Sequence, residues 1–151
     1  MANNGHGTAN DYDRGSFKAL LKDTKRAFEE GFDIGILPEG QLNPTPEQGL
    51  LPIFSGAYTL AKMSRRPIHF MAHFGVHNLW HPKNGMSPVS RKVEVRVYPE
   101  AFYFESSDEF IATFNAIVGE YATYGRDLQP AELEAWTNGS AWKKTNKKME
   151  P

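Results

Sequence analysis

The order of helix-type and strand-type apolar patterns is the feature that most limits how this chain can fold. Apolar residues recur at helical spacing over Phe17–Phe28, and a short apolar run follows over Phe32–Leu37. A second helical pattern covers Phe54–Met63 and ends before Pro67, and another apolar run covers Ile68–Phe74. Helical patterns that alternate with short buried runs predict an α/β domain, with a mostly parallel mixed sheet flanked by helices.

Two further elements are predicted in the second half of the chain. Valines at 93, 95 and 97 alternate with polar residues, which indicates a half-buried strand, and Asp108–Tyr124 has a helical pattern. Ser16 is the predicted N-cap of the first helix and Gly31 its end. The chain therefore divides into a flexible leader (1–15), an α/β domain (16–124) and a weakly structured C-terminal extension (125–151).

Composition excludes several classes of function. The 151 residues include 40% apolar side chains, enough for the core of one domain, and the net charge of −1 argues against a nucleic-acid partner. Cysteine is absent, so disulfides, thiolate metal sites and a cysteine nucleophile are excluded. No apolar stretch is long enough for a transmembrane helix, so any membrane contact is expected to be peripheral.

A carboxylate and a glycine follow the predicted strand that ends at Leu37. In α/β folds ligands bind beyond the carboxyl ends of strands, which is where Glu39 and Gly40 are expected. A glycine allows a ligand to approach the backbone closely, and a carboxylate can accept hydrogen bonds from substrate hydroxyls. Taken alone, the pair is weak evidence for a site, because glycines are common in ordinary turns after strands.

Four short blocks place this pair in a wider pattern. Asp13-Arg14-Gly15, Leu37-Pro38-Glu39-Gly40, Phe54-Ser55-Gly56-Ala57 and Arg66-Pro67-Ile68 resemble, in order and spacing, motifs of the glycerolipid acyltransferase family. This family includes the 1-acylglycerol-3-phosphate (lysophosphatidate) acyltransferases, and the resemblance covers residues 12–99. It implies a glycerolipid acyltransferase-like fold.

The resemblance also implies an activity. These enzymes transfer a fatty acyl group from an acyl thioester, of coenzyme A or a carrier protein, to the free hydroxyl of a lysophosphatidate-type acceptor in phospholipid biosynthesis. They need no bound cofactor. The implied location is cytoplasmic and peripheral, at a membrane surface where the lysophospholipid acceptor is found.

Substrate-binding residues follow from matching positions. Arg14 matches the arginine that binds the acceptor phosphate, for which a guanidinium is suited because it bonds two oxygens at once. Glu39 and Gly40 match the pair that helps to hold the glycerol phosphate. Where the family usually has threonine and then often arginine, this chain has Gln41 and Leu42. Gln41 and Asn43 can still donate hydrogen bonds to an acceptor.

The family's catalytic pair is a histidine and, five positions later, an aspartate that orients the imidazole. His6 and Asp11 have this spacing, and the histidine would take the proton of the acceptor hydroxyl. His6 lies much closer to Arg14 than the family pattern requires. We therefore expect an acyltransferase domain that is N-terminally incomplete. The alternative to a catalytic role is a truncated, non-catalytic fragment, which binds lipid phosphate or a partner. We therefore expect weak turnover.

Other patterns have two interpretations each. Histidines recur at positions 69, 73, 77 and 81, but proline and glycine interrupt any helix there, so we predict no metal site. The segment with Trp136 and Trp142 before several lysines is either an interfacial anchor or a solvated terminus. Phe102–Phe104 are core aromatics or line an acyl path. Arg65 and Arg66 either supply the missing phosphate-binding charge or are ordinary helix C-terminal cations.

Overall fold

A computed structural model describes the chain from residue 14 to residue 148, with side chains from residue 18 onward. These residues form two compact units, divided between Ile36 and Leu37. Among them no helix is both long and apolar enough to cross a lipid bilayer.

The described residues form seven α-helices and four strands. The helices are α1 (Arg14–Glu29), α2 (Gly56–Ser64), α3 (Val76–Leu79), α4 (Ser107–Phe114), α5 (Glu120–Tyr124), α6 (Pro130–Thr137) and α7 (Ser140–Lys147). The strands are β1 (Met71–Phe74), β2 (Trp80–His81), β3 (Gly85–Met86) and β4 (Glu94–Val97).

The first unit is built around α1, as the helical pattern predicts. The helix already includes Ser16, so the prediction that this serine is the N-cap is wrong. The predicted end is confirmed: Gly31 has φ 86°, and the N–H of Phe32 donates to the carbonyl of Ala27 at 2.9 Å. A glycine with positive φ and a hydrogen bond to the carbonyl five residues earlier are commonly found together at a helix C-terminus.

The predicted strand over residues 32–37 is wrong. This segment has no regular structure, and Phe32 is 61% exposed. A strand requires a neighbour for its backbone N–H and C=O groups, and no described strand pairs with this segment. The apolar run therefore does not provide the buried strand on which the predicted sheet depends.

The predicted mostly parallel sheet is also wrong. The described strands form two separate antiparallel pairs, β1 with β4 and β2 with β3. Met71 lies opposite Val97, and Phe74 opposite Glu94. Parallel pairing requires a crossover connection, which is usually a helix. Between β1 and β4 the chain has only the four-residue α3 and the short β2–β3 hairpin, so the chain turns back and pairs antiparallel.

β4 is confirmed as a strand, but its valines do not face the core. Val95 and Val97 are 55% and 58% exposed, whereas Tyr98 is 2% exposed. The phenol of Tyr98 donates to Asp127 Oδ1 at 2.8 Å, and Arg96 forms an ion pair with the same carboxylate at 3.0 Å. Tyr98, directly after the strand, is therefore turned inward, whereas the two valines are turned outward.

The core of the second unit lies between β1 and the helices that follow β4. The pattern over residues 108–124 is confirmed as α4 and α5, which are joined by a π-helical turn at Asn115–Gly119. Against prediction, the C-terminal extension forms α6 and α7, and Trp136 packs against the core. The fully buried or nearly buried apolar residues are Ile53, Phe70, Ala72, Tyr98, Phe102, Phe110, Ile117, Val118 and Tyr121.

The C-terminal end of α2 has an unusual conformation at Arg65. This residue has φ 55° and ψ 38°, in the left-handed region, and Arg66 N–H donates to the carbonyl of Ala61 at 3.0 Å. Glycine usually occupies this position, because a side chain there costs roughly 1–2 kcal/mol. A cation near a helix C-terminus gains only about 0.3–1 kcal/mol from the helix dipole. Helix capping alone therefore does not account for an arginine at this position.

The Tyr98–Asp127 bond predicts a specific response to alkaline pH. Burial, followed by the hydrogen bond to Asp127 and its charge, raises the pKa of Tyr98 well above its ordinary value. Above about pH 10 the unfolded chain loses this proton while the folded chain keeps it, so the stability falls as pH rises. Between pH 9 and 11 the midpoint temperature of thermal unfolding should fall less in Tyr98→Phe than in the wild type. Tyr124→Phe, at a 61% exposed phenol, is the control and should behave as wild type.

Candidate functional site

The Leu37-Pro38-Glu39-Gly40 block forms a tight turn. The N–H of Gly40 donates to the carbonyl of Leu37 at 3.1 Å, and proline at the second position favours this turn. Gly40 has φ 66°, and a Cβ built on it would lie 3.0 Å from the ring of Phe54. Glycine is therefore required here both by the backbone conformation and by the close approach of an aromatic ring.

Two motif blocks that are separate in the sequence meet at this turn. The N–H of Phe54 donates to the carbonyl of Pro38 at 2.9 Å, while its ring lies against Gly40. Residues 37–54 thus form a closed loop, called here the Glu39 loop, and α2 begins directly after it at Gly56. The glutamate and the start of α2 are held together without a strand.

The carboxylate of Glu39 has one anchored oxygen and one free oxygen. Oε2 accepts hydrogen bonds from the N–H of Leu51 at 2.7 Å and from Nδ2 of Asn43 at 3.1 Å. Oε1 has no hydrogen bond within the described part of the chain, and the side chain is only half-buried. The first oxygen closes the loop across twelve residues, and the second can accept a hydrogen bond from a ligand.

The two predicted amide donors differ in availability. Asn43 Nδ2 also donates to the carbonyl of Gly49 at 2.7 Å, and its Oδ1 accepts from the N–H of Thr45 at 2.9 Å. Its whole amide group is therefore used to shape the loop. Gln41 is exposed, and its side chain makes no hydrogen bond to any residue that the structure describes. Of the two, Gln41 can reach a ligand without disturbing the loop.

The remaining predicted residues belong to other parts of the chain. His6 and Asp11 lie outside the described residues. Arg14 is the first residue of α1, in the other unit, and its side chain is also outside the described part. Arg65 and Arg66 follow the far end of α2, whose nine residues span roughly 13 Å, whereas the Glu39 loop adjoins its beginning.

Sequence reasoning missed a second contact of the Glu39 loop. Nε2 of His81 lies 3.3 Å from Oε2 of Glu47, and Nδ1 of the same ring accepts from the N–H of Lys83 at 3.1 Å. Nδ1 therefore carries no proton, and Nε2 donates to the glutamate. Because both ring nitrogens are engaged, this imidazole links the loop to the β2–β3 hairpin and is not free to act as a base. Glu47 and His81 are 34 positions apart, so no sequence spacing marks the pair.

The electrostatics of Glu47 agree with that linking role. The pKa of its carboxyl is lowered, first by its own backbone N–H at the start of the short turn Pro46–Gln48 and then by His81. Among the described side chains no group of three or more His, Asp or Glu is arranged to hold a metal ion.

Comparisons with protein-family models, with curated proteins and with solved structures give no match. The functional assignment therefore depends on the geometry of the Glu39 loop and on the resemblance of the motif blocks.

Proposed function

We propose that the Glu39 loop binds the glycerol phosphate end of a lysophosphatidate-type acceptor. In this proposal the chain belongs to an acyltransferase that moves a fatty acyl group from an acyl thioester to the acceptor's free hydroxyl in phospholipid biosynthesis. The observation that carries the proposal is the carboxylate of Glu39: Leu51 and Asn43 hold its Oε2, and no residue that the structure describes bonds to its Oε1. A carboxylate held in one position by the protein is suited to orient a hydroxyl.

Each part of the acceptor has a proposed partner. A glycerol hydroxyl donates to Oε1 of Glu39, and the absence of a side chain at Gly40 lets the glycerol approach the backbone. The amide of Gln41 donates to a phosphate oxygen, and the guanidinium of Arg14 balances the phosphate charge. Asn43 supports the site indirectly because it holds the carboxylate in place.

The proposed reaction needs a base in addition to these groups. The acceptor oxygen forms a bond to the thioester carbonyl carbon, the carbon–sulfur bond breaks, and the released thiolate takes up the proton that the base removed from the hydroxyl. His6 is proposed as this base and Asp11 as the group that orients it. The protein itself needs no cofactor for this reaction, because the donor thioester supplies the activated acyl group.

The proposed location follows from the substrates. Both the acceptor and the product are lipids with a charged head, and these are found at a membrane surface. We propose a cytoplasmic chain that contacts this surface peripherally.

Acceptor binding is tested with glycerol 3-phosphate and a short-chain lysophosphatidate by calorimetric titration. Glu39→Gln keeps a carbonyl oxygen that can accept from Leu51 and Asn43, but it places an N–H₂ group where Oε1 was free. We expect this variant to bind about tenfold or more weakly, because a hydrogen bond to a charged group contributes about 1.5–3 kcal/mol. Gln41→Ala should weaken glycerol 3-phosphate binding while leaving glycerol binding unchanged.

Glu134→Gln is the matched control, since Glu134 is exposed on α6 and the substitution changes the charge equally. It should bind as the wild type does. Equal binding by Glu39→Gln and the wild type would refute the proposed site.

Acyl transfer is assayed separately. If the wild type turns over and His6→Ala does not, His6 is the base. If the chain binds the acceptor without turnover, the non-catalytic alternative is correct.

A further inference from the structure

A small pocket of about 230 Å³ lies at the C-terminal end of α2. Its walls are positioned by an antiparallel bridge, in which Ile68 and Phe102 exchange two backbone hydrogen bonds of 2.9 Å each. The bridge places the segment after α2 beside the aromatic residues 102–104. The pocket is therefore built by the fold rather than by the side chains of one exposed loop.

The aromatic residues that line this pocket differ in exposure. Phe102 is 4% exposed and stacks on Phe104 with ring centroids 5.8 Å apart and planes 7° apart, so this side of the pocket is continuous with the core. Tyr103, between them in sequence, is 73% exposed and is accessible to a ligand. An apolar or aromatic group that enters the pocket would contact rings that are already fixed by packing.

All the charged side chains that line the pocket are positive. Lys62, Arg65 and Arg66 contribute to its wall, and no described carboxylate does. Nζ of Lys62 donates to the phenol of Tyr58 at 2.7 Å and lies 5.2 Å from the centre of that ring. Neither Lys62 nor Arg65 forms an ion pair with a described residue. Three cations around one small pocket produce a local positive potential in a chain whose net charge is −1.

One of the three cations, Arg65, has an unfavourable backbone conformation. It is the one non-glycine residue with positive φ in the described part of the chain, at a helix end where glycine would be less strained. The stabilisation of a cation by the helix dipole is smaller than that strain. Arg65 therefore occupies this position at a conformational cost. A role in ligand binding is a physical reason for such a cost.

A larger cleft, elsewhere among the described residues, is a weaker candidate for an anion. Its volume is about 710 Å³, and Arg91 and Lys92 line it together with Glu94. Lys92 Nζ is 3.0 Å from Glu94 Oε1, so part of the positive charge is already neutralised by a carboxylate of the same cleft. The pocket beside α2 has no such neutralising group among its lining residues.

We propose that the pocket at the end of α2 binds a phosphate group that is joined to an apolar or aromatic body. The phosphate lies among Lys62, Arg65 and Arg66, and the body contacts Tyr103 and Phe104. The phosphate belongs either to an anionic lipid headgroup or to a water-soluble phosphate ester. This site is separate from the Glu39 loop and does not depend on the function proposed for that loop.

Phenyl phosphate, inorganic phosphate and vesicles provide the test. By calorimetric titration, phenyl phosphate should bind the wild-type chain more tightly than inorganic phosphate, because only the former has an aromatic ring. Vesicles that contain phosphatidic acid in phosphatidylcholine should sediment the chain if the source is a lipid, and phosphatidylcholine vesicles alone should not. Binding of phenyl phosphate without vesicle binding identifies a soluble ester as the source.

The variants make the test independent of folding. Arg65→Gly removes the charge at a position that glycine tolerates better, so it should unfold at the same or a higher temperature than the wild type. We expect about tenfold weaker binding in Arg65→Gly and in Lys62→Ala. Lys83→Ala removes one exposed charge outside the pocket and should bind as the wild type. The proposal is overturned if the wild-type chain binds neither phenyl phosphate nor vesicles that contain phosphatidic acid. It is also overturned if Arg65→Gly and Lys62→Ala bind these probes as the wild type does.

Discussion

Replacing Phe70 by alanine should lower the free energy of unfolding by about 3–5 kcal/mol, which is the usual cost of removing a buried phenylalanine. Phe70 is 2% exposed and stacks on Phe102 with ring centroids 4.5 Å apart. The ring of Phe114 approaches its edge at 5.3 Å, with an interplanar angle of 85°. Since both neighbours are held by other elements, they cannot collapse into the space, and the substitution leaves a cavity between β1 and α4.

Urea denaturation monitored by circular dichroism measures this loss. Phe32→Ala is the control, because the same atoms are removed from a side chain that is 61% exposed, and its free energy of unfolding should change by less than about 0.5 kcal/mol. Similar effects for the two substitutions would show that the aromatic cluster around Phe70 is not the core.

The second large effect is expected at Gly75, between β1 and α3. This glycine has φ 81°, and a Cβ built on it would lie 2.7 Å from the backbone oxygen of Lys92. Because this oxygen belongs to the backbone two residues before β4, a side-chain rotation cannot relieve the clash, and the strand or the turn must move. We expect Gly75→Ala to cost about 2–4 kcal/mol, from the left-handed conformation together with the displacement.

Gly85→Ala separates these two contributions. Gly85 has φ 74°, but nothing lies within 4 Å of the position of its added Cβ. This substitution should therefore cost only the roughly 1–2 kcal/mol of the left-handed conformation. The difference between the two variants in urea denaturation is the cost of the Lys92 contact. A Gly75→Ala variant as stable as Gly85→Ala would contradict the close approach of these segments.

The elements that were predictable are those whose signal is local. The helix α1 follows from its periodic apolar face, and the turn at Gly40 from a proline and a glycine two positions apart. The run over residues 32–37 has the same composition as a buried strand. A strand exists only when another strand pairs with it, and this information is not contained in the run itself.

The contacts that shape the candidate site were not predictable because they join distant residues. Glu39 could be selected as a candidate from its motif, but its bond to the N–H of Leu51 spans twelve positions, and that of Glu47 to His81 spans 34. The valines of β4 illustrate the same limit. Their alternation predicts a strand correctly, but it does not show that the valines face outward and that Tyr98 is buried, where it bonds to Asp127, 29 positions away.

The most direct test of the proposed acceptor site is a ¹⁵N-resolved NMR titration of the wild-type chain with glycerol 3-phosphate. Shifts should saturate together for the backbone amides of Gly40, Gln41 and Leu51, because a ligand on Oε1 of Glu39 polarises the carboxylate that Leu51 contacts. The same titration of Glu39→Gln should need about tenfold more ligand to reach half of these shifts. Shifts that leave the amides of the Glu39 loop unchanged, or that persist unaltered in Glu39→Gln, would contradict the proposal that this loop holds the acceptor.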